Sequence, residues 1–295
     1  MIADSTIAIV GLGLMGGSLA RAVSARGARV LGYDQNVAHL DQAMRDGVVH
    51  EALDRDLNGM AAADVVVLAL PVDATCRTLP TLARRATTTQ LLMDLASTKR
   101  SVVACAESAG VGERFVGAHP LTGSHRSGWS AGRASLFDSA RVFLCPTSRT
   151  VPEALQLAEL FWRELHAHTE ALDPYEHDEE MAWSSHLPHI MSSALAVTLR
   201  DAGIPRSALG PGGRDVTRLA GSSTAMWSAI AADNADAIVQ ALAAYEAQLR
   251  AFREAIASRG DEMTRTLLDA GREWFDGEVG GETQKRDERK RPDRS

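Results

Sequence analysis

The chain has 295 residues, 45% of them hydrophobic and 23% charged, with 31 basic against 38 acidic side chains and a net charge of −7. That length suggests about two domains, and the composition predicts a soluble globular protein. A net-acidic body without a basic block excludes a nucleic-acid binder, which needs clustered Lys and Arg to neutralise phosphates. Only three basic residues are lysines, Lys99, Lys285 and Lys290. No run approaches the ~20 consecutive apolar residues of a membrane span, and no cationic leader with a small-residue cleavage site precedes the first apolar strand. Cys76, Cys105 and Cys145 are odd in number and widely spaced, which argues against a disulfide framework or a zinc site. A cytoplasmic enzyme or binding protein is the expectation.

In chain order, Thr6–Val10, Arg29–Tyr33, 64–70, 90–94, 114–119 and 140–145 read as strands, rich in Val, Leu and Ile without strict alternation. Such runs belong to strands covered on both faces. Segments 14–26, 37–45, 73–85 and 99–108 between them have helical spacing. Strand and helix alternating at this rhythm predict right-handed crossovers and a doubly wound, mainly parallel sheet over residues 1–148. From residue 152 no strand is evident. Long Ala/Leu-rich helical patterns cover 152–166, 174–202, 222–232 and 235–259, with a shorter one after them, giving an all-α domain over 149–275. Several of these helices are apolar on more than one face, which predicts packing against a second subunit. Residues 276–295 carry six acidic and six basic residues and almost nothing apolar, so a disordered polar tail is expected.

Gly11-Leu12-Gly13-Leu14-Met15-Gly16 follows the first strand directly and opens a helix. In that context G-x-G-x-x-G reads as a dinucleotide loop. Gly11 allows the tight turn, Gly13 lets a pyrophosphate approach the backbone, and Gly16 lets helix and strand pack closely. Leu14 and Met15 then stand at a helix N-terminus whose free N–H groups and dipole favour phosphate. Asp34 ends the second strand, where an acid accepts both ribose hydroxyls and repels a 2′-phosphate, so NAD is expected over NADP. Asp34 could instead cap the helix that follows.

Ligands of an open parallel sheet bind beyond the carboxyl ends of its strands. Pro71 follows the strand at 64–70 and is expected close to the cofactor. Ser97 follows the strand at 90–94, and His119-Pro120 terminates the one at 114–119, so Ser97 and His119 are expected near a nicotinamide. Oxidation of an alcohol requires removal of its hydroxyl proton, and a neutral imidazole suits that task. His119 is the candidate base and Ser97 the candidate that orients the hydroxyl. In the helical half, Asp215, Arg218 and Ser222 fall on one face at helical spacing. Arg218 there offers a bidentate site for a substrate carboxylate, or else pairs with Asp215 at the surface. His186 and His189 are one turn apart, but no neighbouring Cys or acid completes a metal set, so no metal is expected.

Taken together, segments 9–20 (IVGLGLMGGSLA), 32–34 (GYD), 94–99 (DLASTK), 117–128 (GAHPLTGSHRSG), 172–196 (LDPYEHDEEMAWSSHLPHIMSSALA) and 214–227 (RDVTRLAGSSTAMW) resemble the prephenate/arogenate dehydrogenase family of tyrosine biosynthesis. The resemblance spans about residues 6–275 in order and spacing. It implies a Rossmann-type domain joined to an all-α domain that forms a homodimer. It also implies an NAD-dependent oxidative decarboxylation, in which hydride leaves C4 of a cyclohexadienol, the ring carboxylate departs as CO2, and aromatisation drives the reaction. On this likeness His119 takes the C4 hydroxyl proton, Ser97 helps hold that hydroxyl, and Arg218 binds a substrate carboxylate. His189, Ser222 and Trp227 match positions lining the substrate pocket.

One position departs from the family pattern. After HPLTGS the family commonly carries an acid that can join an ionic network with the residues matching Arg218 and Asp215, and here His125 stands in its place. A gate built on that network would lose its carboxylate and become sensitive to pH near neutrality. Two other readings compete. A β-hydroxyacid-type dehydrogenase also joins such domains, but that group resembles itself in using a lysine on the helical domain, and this chain has none between Lys99 and Lys285. A non-catalytic cofactor-binding sensor is not expected to keep His119, Ser97 and Arg218 together.

Overall fold

The computed structural model describes residues 1–123 and 126–279, and divides them into one unit up to Val239 and another from Gln240 onward. The first unit is built on an eight-stranded sheet of β1 (Thr6–Val10), β2 (Arg29–Tyr33), β3 (Glu51–Ala52), β4 (Val65–Leu68), β5 (Leu91–Asp94), β6 (Phe115–Pro120), β7 (Arg141–Pro146) and β8 (His168–Ala171). Their order is β3-β2-β1-β4-β5-β6-β7-β8, and every pairing is parallel except β6 with β7. The order reverses at β1, and the crevice beyond that switch point is where such a sheet takes its ligand.

The uninterrupted apolar runs are explained by the two cores they feed. Ile7 and Ile9 of β1 face one cluster, where α1 (Leu14–Ser24) contributes Leu19 and Val23 and α5 (Pro152–Glu164) contributes Phe161 and Trp162. Ala8 and Val10 face the other, with Leu79 and Leu82 of α3 (Val72–Arg85) and Val102 and Ala106 of α4 (Arg100–Ser108). The helix α2 (Val37–Arg45) lies after β2 and is capped by Asn36, whose side chain accepts the Ala38 N–H at 3.1 Å. Asp34 is therefore not the cap of that helix.

Several expectations need correcting. Residues 168–171 form a strand where none was expected. β8 pairs parallel to β7 at the sheet edge, and its sequence HTEA lacks the apolar run that marks a strand buried on both faces. The expected helix at 174–202 is two helices, α6 (Pro174–Met181) and α7 (Leu187–Asp201), separated by a π turn at Ala182–His186. Pro188 has no N–H to offer the Ser184 carbonyl, and the helix widens just before it. Cys76 on α3 and Cys105 on α4 form a disulfide, although the number and spacing of the cysteines argued against a disulfide framework, because the two helices pack side by side. The last helix runs to Val279, so residues 276–279 are helical and not part of a disordered tail; the rest of that tail lies outside the described residues.

After α7 come α8 (Pro211–Val216), α9 (Thr224–Asp233), α10 (Ala235–Ala257) and α11 (Asp261–Val279). The second unit holds the greater part of α10, a turn with Arg259 at φ 53°, and α11. Leu249, Ile256, Met263, Leu268, Trp274 and Phe275 are all exposed on this unit. Among the described residues, no helix is long and apolar enough to cross a membrane.

Candidate active site

The glycine loop has the shape its sequence predicts. Gly11 sits at φ 94°, and a Cβ there would run into the Ala69 carbonyl oxygen. A Cβ on Gly16 would collide with the Gly11 carbonyl oxygen, so the first turn of α1 can approach β1 only without a side chain at that position. Gly13 differs from both, because a Cβ there would meet nothing within 4 Å. Its face is open, and no side chain caps the N-terminus of α1. A bare helix start with an open glycine beside it fits a dinucleotide pyrophosphate. Asp34 closes the loop from the second strand: Oδ2 accepts the Leu12 N–H at 2.6 Å and Oδ1 the Asn36 N–H at 2.7 Å. Pro71 stands immediately before α3, past the end of β4.

A cavity of about 480 Å³ opens at the carboxyl ends of the strands, and among its lining residues are Leu14, Met15, Ser97, His119, Ser185 and Trp227. The structure thus brings Ser97 and His119 together with the head of α1. His119 ends β6 with 9% of its surface exposed. Burial pushes its imidazole well below the ordinary histidine range, helped by the neighbouring His177, Lys99 and His186. Beneath it, Lys99 is fully buried, ion-paired with Asp94, and donates to the Ala118 carbonyl at 3.1 Å. Burial pushes the Asp94 carboxyl up, against the pull of Lys99.

Two residues missed in the sequence complete the arrangement. His119 Nδ1 lies 2.9 Å from His177 Nε2, and His177 Nδ1 lies 2.8 Å from Asp178 Oδ1. Both come from α6, which starts where the Asp173 side chain accepts the Tyr175 N–H at 2.8 Å and Pro174 takes the first helical position. A His-Asp pair inside a segment capped in this way, eight to twelve residues before the histidines at 186 and 189, was the available signal. His186 also lines the cavity; burial pushes it down to about 4, and the Asn234 amide donates to its Nδ1 at 3.2 Å.

The helical residues are only partly assembled. His189 stacks on Trp227 with ring centroids 3.5 Å apart, and Trp227 lines the cavity. Asp215, Arg218 and Ser222 do not share a helical face. The helix ends at Val216, where Thr217 Oγ1 turns back to donate to the Gly213 carbonyl at 2.7 Å, and Arg218–Gly221 is a tighter 3-10 turn ending at Ser222. Arg218 lines a neighbouring groove with Leu199, Ile204 and Thr217 and not the His119 cavity, although its charge reaches His189. Among the described residues no ion pair joins Asp215, which is exposed, to Arg218. His125 lies outside the described residues. Among the described residues no cluster of His, Cys, Asp and Glu suits a metal ion.

A parallel sheet with a phosphate-ready loop, and a buried neutral histidine facing the head of the first helix, define a nucleotide-dependent dehydrogenase. Sequence comparison is more specific. The profile of the prephenate dehydrogenase nucleotide-binding domain matches residues 19–171 and that of the prephenate dehydrogenase dimerization domain residues 173–269, and the chain belongs to this family. It is 32% identical over 281 residues to a prephenate dehydrogenase of Bacillus subtilis, covering 92% of this chain and 76% of that one. It is 31% identical to a cyclohexadienyl dehydrogenase of Zymomonas mobilis, over 87% of this chain and 90% of the relative. The structure resembles prephenate dehydrogenase from A. aeolicus in complex with hydroxyphenyl propionate and NAD+, with TM-score 0.84, 28% identity, and coverage of 93% of this chain and 98% of that one. It also resembles Synechocystis arogenate dehydrogenase, with TM-score 0.78, 28% identity, and coverage of 93% and 100%.

Proposed function

We propose that this chain catalyses the NAD-dependent oxidative decarboxylation of a cyclohexadienyl substrate, prephenate or arogenate, with His119 as the base. The observation that carries this reading is the buried His119 imidazole, kept neutral by its surroundings, in one cavity with Ser97 and the head of α1. A neutral imidazole can accept the C4 hydroxyl proton, and Ser97 can hold that hydroxyl in line. NAD, when bound, supplies the hydride acceptor. Gly11, Gly13 and Gly16, with the N–H groups at Leu14 and Met15, would hold its pyrophosphate, and Pro71 borders the same end of the sheet. Asp34 would take the ribose hydroxyls, since each of its oxygens keeps lone pairs beyond the single backbone bond it accepts. The negative charge of the Asp34 carboxylate also repels a 2′-phosphate, which supports NAD over NADP.

The His189–Trp227 stack and Ser222 form the outer part of the substrate site in this reading, and Arg218, beside His189, supplies the cation for a substrate carboxylate. We assign residues 1–148, with α5 and β8 that complete their sheet and core, to cofactor binding, and the helices from α6 to residue 275 to the substrate and to dimerisation. The large apolar side chains exposed on α10 and α11 support a homodimer. We place the reaction in the cytoplasm, with NAD and a small-molecule substrate as its partners.

The test is formation of NADH, followed by absorbance, from prephenate and arogenate offered separately with NAD or NADP. Absence of NADH with both substrates overturns the activity. His119→Asn should lower kcat by ~10²–10⁴-fold while leaving NAD binding, followed by fluorescence titration, within about twofold; an unimpaired His119→Asn overturns the base assignment. Light scattering should give a particle of twice the 31.5 kDa chain mass.

A further inference from the structure

His119 is one end of a chain of three side chains, and the other end fixes the protons of the whole chain. Asp178 is fully buried yet receives four donors: the Lys99 N–H at 2.8 Å and the Arg100 N–H at 3.0 Å, the Arg100 Nε–H at 3.3 Å, and His177 Nδ1 at 2.8 Å. Those hydrogen bonds outweigh burial and keep its carboxyl below the ordinary range, so it is an ionised acceptor. An ionised acceptor requires His177 Nδ1 to carry the proton. Burial lowers His177 as well and keeps it neutral, which leaves Nε2 with only a lone pair. The 2.9 Å contact with His119 Nδ1 is then a hydrogen bond in one direction, from His119 Nδ1–H to His177 Nε2.

We propose that His177 and Asp178 are positioning residues that hold His119 in the Nδ1–H tautomer, leaving Nε2 unprotonated as the basic atom facing the cavity. The assignment rests on His119 being the base of the dehydrogenation proposed above. When Nε2 takes the C4 hydroxyl proton, the Nδ1–H bond stays in place, and the new imidazolium charge is opposed by the Asp178 carboxylate through one intervening ring. No proton moves on to Asp178. Of the other charged or titratable groups about His119, Lys99 is already ion-paired with Asp94, His186 is held neutral by burial, and Arg141 and Glu180, which line the same cavity, pair with each other. Phe143 packs against His177 with ring centroids 5.3 Å apart and the two rings nearly perpendicular. The logic is that of an Asp-His pair in hydrolases, where the acid selects the tautomer of the histidine it touches. Here a second histidine is interposed.

The experiment is a long-range proton–nitrogen NMR spectrum of the histidine rings in the full chain, with the His119 signals identified by their loss in His119→Asn. The wild-type protein should show His119 as the Nδ1–H tautomer. In Asp178→Asn the amide can donate to His177 Nδ1, which reverses both hydrogen bonds; His119 should switch to Nε2–H, and kcat should fall by at least ~100-fold with the KM for NAD within about threefold. His177→Gln keeps an acceptor near the Nε2 position and should exceed His177→Leu in kcat by at least tenfold. An Nε2–H tautomer in the wild type, a kcat within about threefold in Asp178→Asn, or equal rates for the two His177 variants would overturn the proposal. Should Asp178→Asn not fold, the wild-type spectrum and the His177 pair decide the matter. Full activity of His119→Asn would instead refute the base assignment, while the spectrum still reports on the relay.

Discussion

His189 lies face to face with Trp227, ring centroids 3.5 Å apart, and each ring carries a buried nitrogen without a partner, Nε2 of His189 and Nε1 of Trp227. Leaving buried polar atoms unpaired costs ~1–3 kcal/mol each, and a folded protein tolerates that most readily where a ligand later supplies the partner. Trp227→Phe keeps an aromatic face against His189 but removes the indole N–H. The expected result is a KM for the cyclohexadienyl substrate raised about tenfold, the equivalent of ~1.4 kcal/mol, with kcat within about twofold. Steady-state kinetics with saturating NAD provide the check, and an unchanged KM would show that the indole N–H does not meet the substrate.

The glycine loop permits a sharper separation of binding from folding. Gly13 is at φ −70°, and a Cβ there would meet nothing within 4 Å, so Gly13→Ala should fold with a melting temperature close to the wild type. Its methyl group would occupy the open face where a pyrophosphate approaches the backbone, and NAD affinity should fall at least tenfold. Gly16→Ala should behave in the opposite way, because its Cβ would strike the Gly11 carbonyl oxygen, a backbone atom that cannot swing aside. Loss of stability should precede any effect on affinity. Thermal melts with and without NAD distinguish the two cases. Equal melting temperatures for the two variants would contradict the packing described.

Asp34 serves the fold, since its carboxylate accepts the N–H groups of Leu12 and Asn36, and in the proposed function it also takes the ribose hydroxyls. Asp34→Ser removes the negative charge and shortens the reach to both amides. The preference for NAD over NADP, measured as the ratio of kcat/KM values, should fall by at least tenfold. The protein should also lose on the order of 1 kcal/mol of stability from the weakened loop. A preference unchanged by the substitution would remove Asp34 from the ribose site.

The parts legible in the sequence were those set by local chemistry. Gly11 and Gly16 are dictated by backbone geometry, and β1 and β2 by runs of apolar residues that feed both cores, so the bounds of those strands were recovered to the residue. The place of His119 in the cavity was legible because a strand end in a parallel sheet predicts proximity to the crevice beyond it. His177 was not, because its role depends on α6 packing against the end of β6, a long-range contact that no spacing rule contains. β8 escaped for a related reason: an edge strand half open to solvent needs no apolar pattern. The face shared by Asp215, Arg218 and Ser222 failed because helical periodicity was extended through Thr217, where the chain tightens into a 3-10 turn. The pairing of Cys76 with Cys105 depends on two helices meeting, and counting cysteines cannot reveal it.

Burial also makes stability depend on pH. His119, His177, His186 and His189 all lie below their ordinary value because burial disfavours the charged ring. The unfolded chain takes up protons at these histidines near pH 6.5, whereas the folded protein does not until the pH is lower. Their contribution is therefore complete above about pH 6.5 and is lost as the pH falls towards the folded values. For His186, pushed to about 4, the loss is on the order of 3 kcal/mol. Asp178, depressed from 3.8, begins to act only below that window, and Asp94, pushed upward by burial, works in the opposite sense. Comparison with a variant isolates one histidine from these neighbours. His186→Gln replaces the imidazole with an amide that does not titrate. Between pH 6.5 and 4, its unfolding free energy should depend on pH less steeply than that of the wild type by up to ~1.4 kcal/mol per pH unit, the contribution of one proton. Urea unfolding at several pH values measures both slopes. Identical slopes would mean that His186 is protonated in the folded protein as readily as in the unfolded chain, and would overturn the effect assigned to its burial beside Trp227 and Asn234.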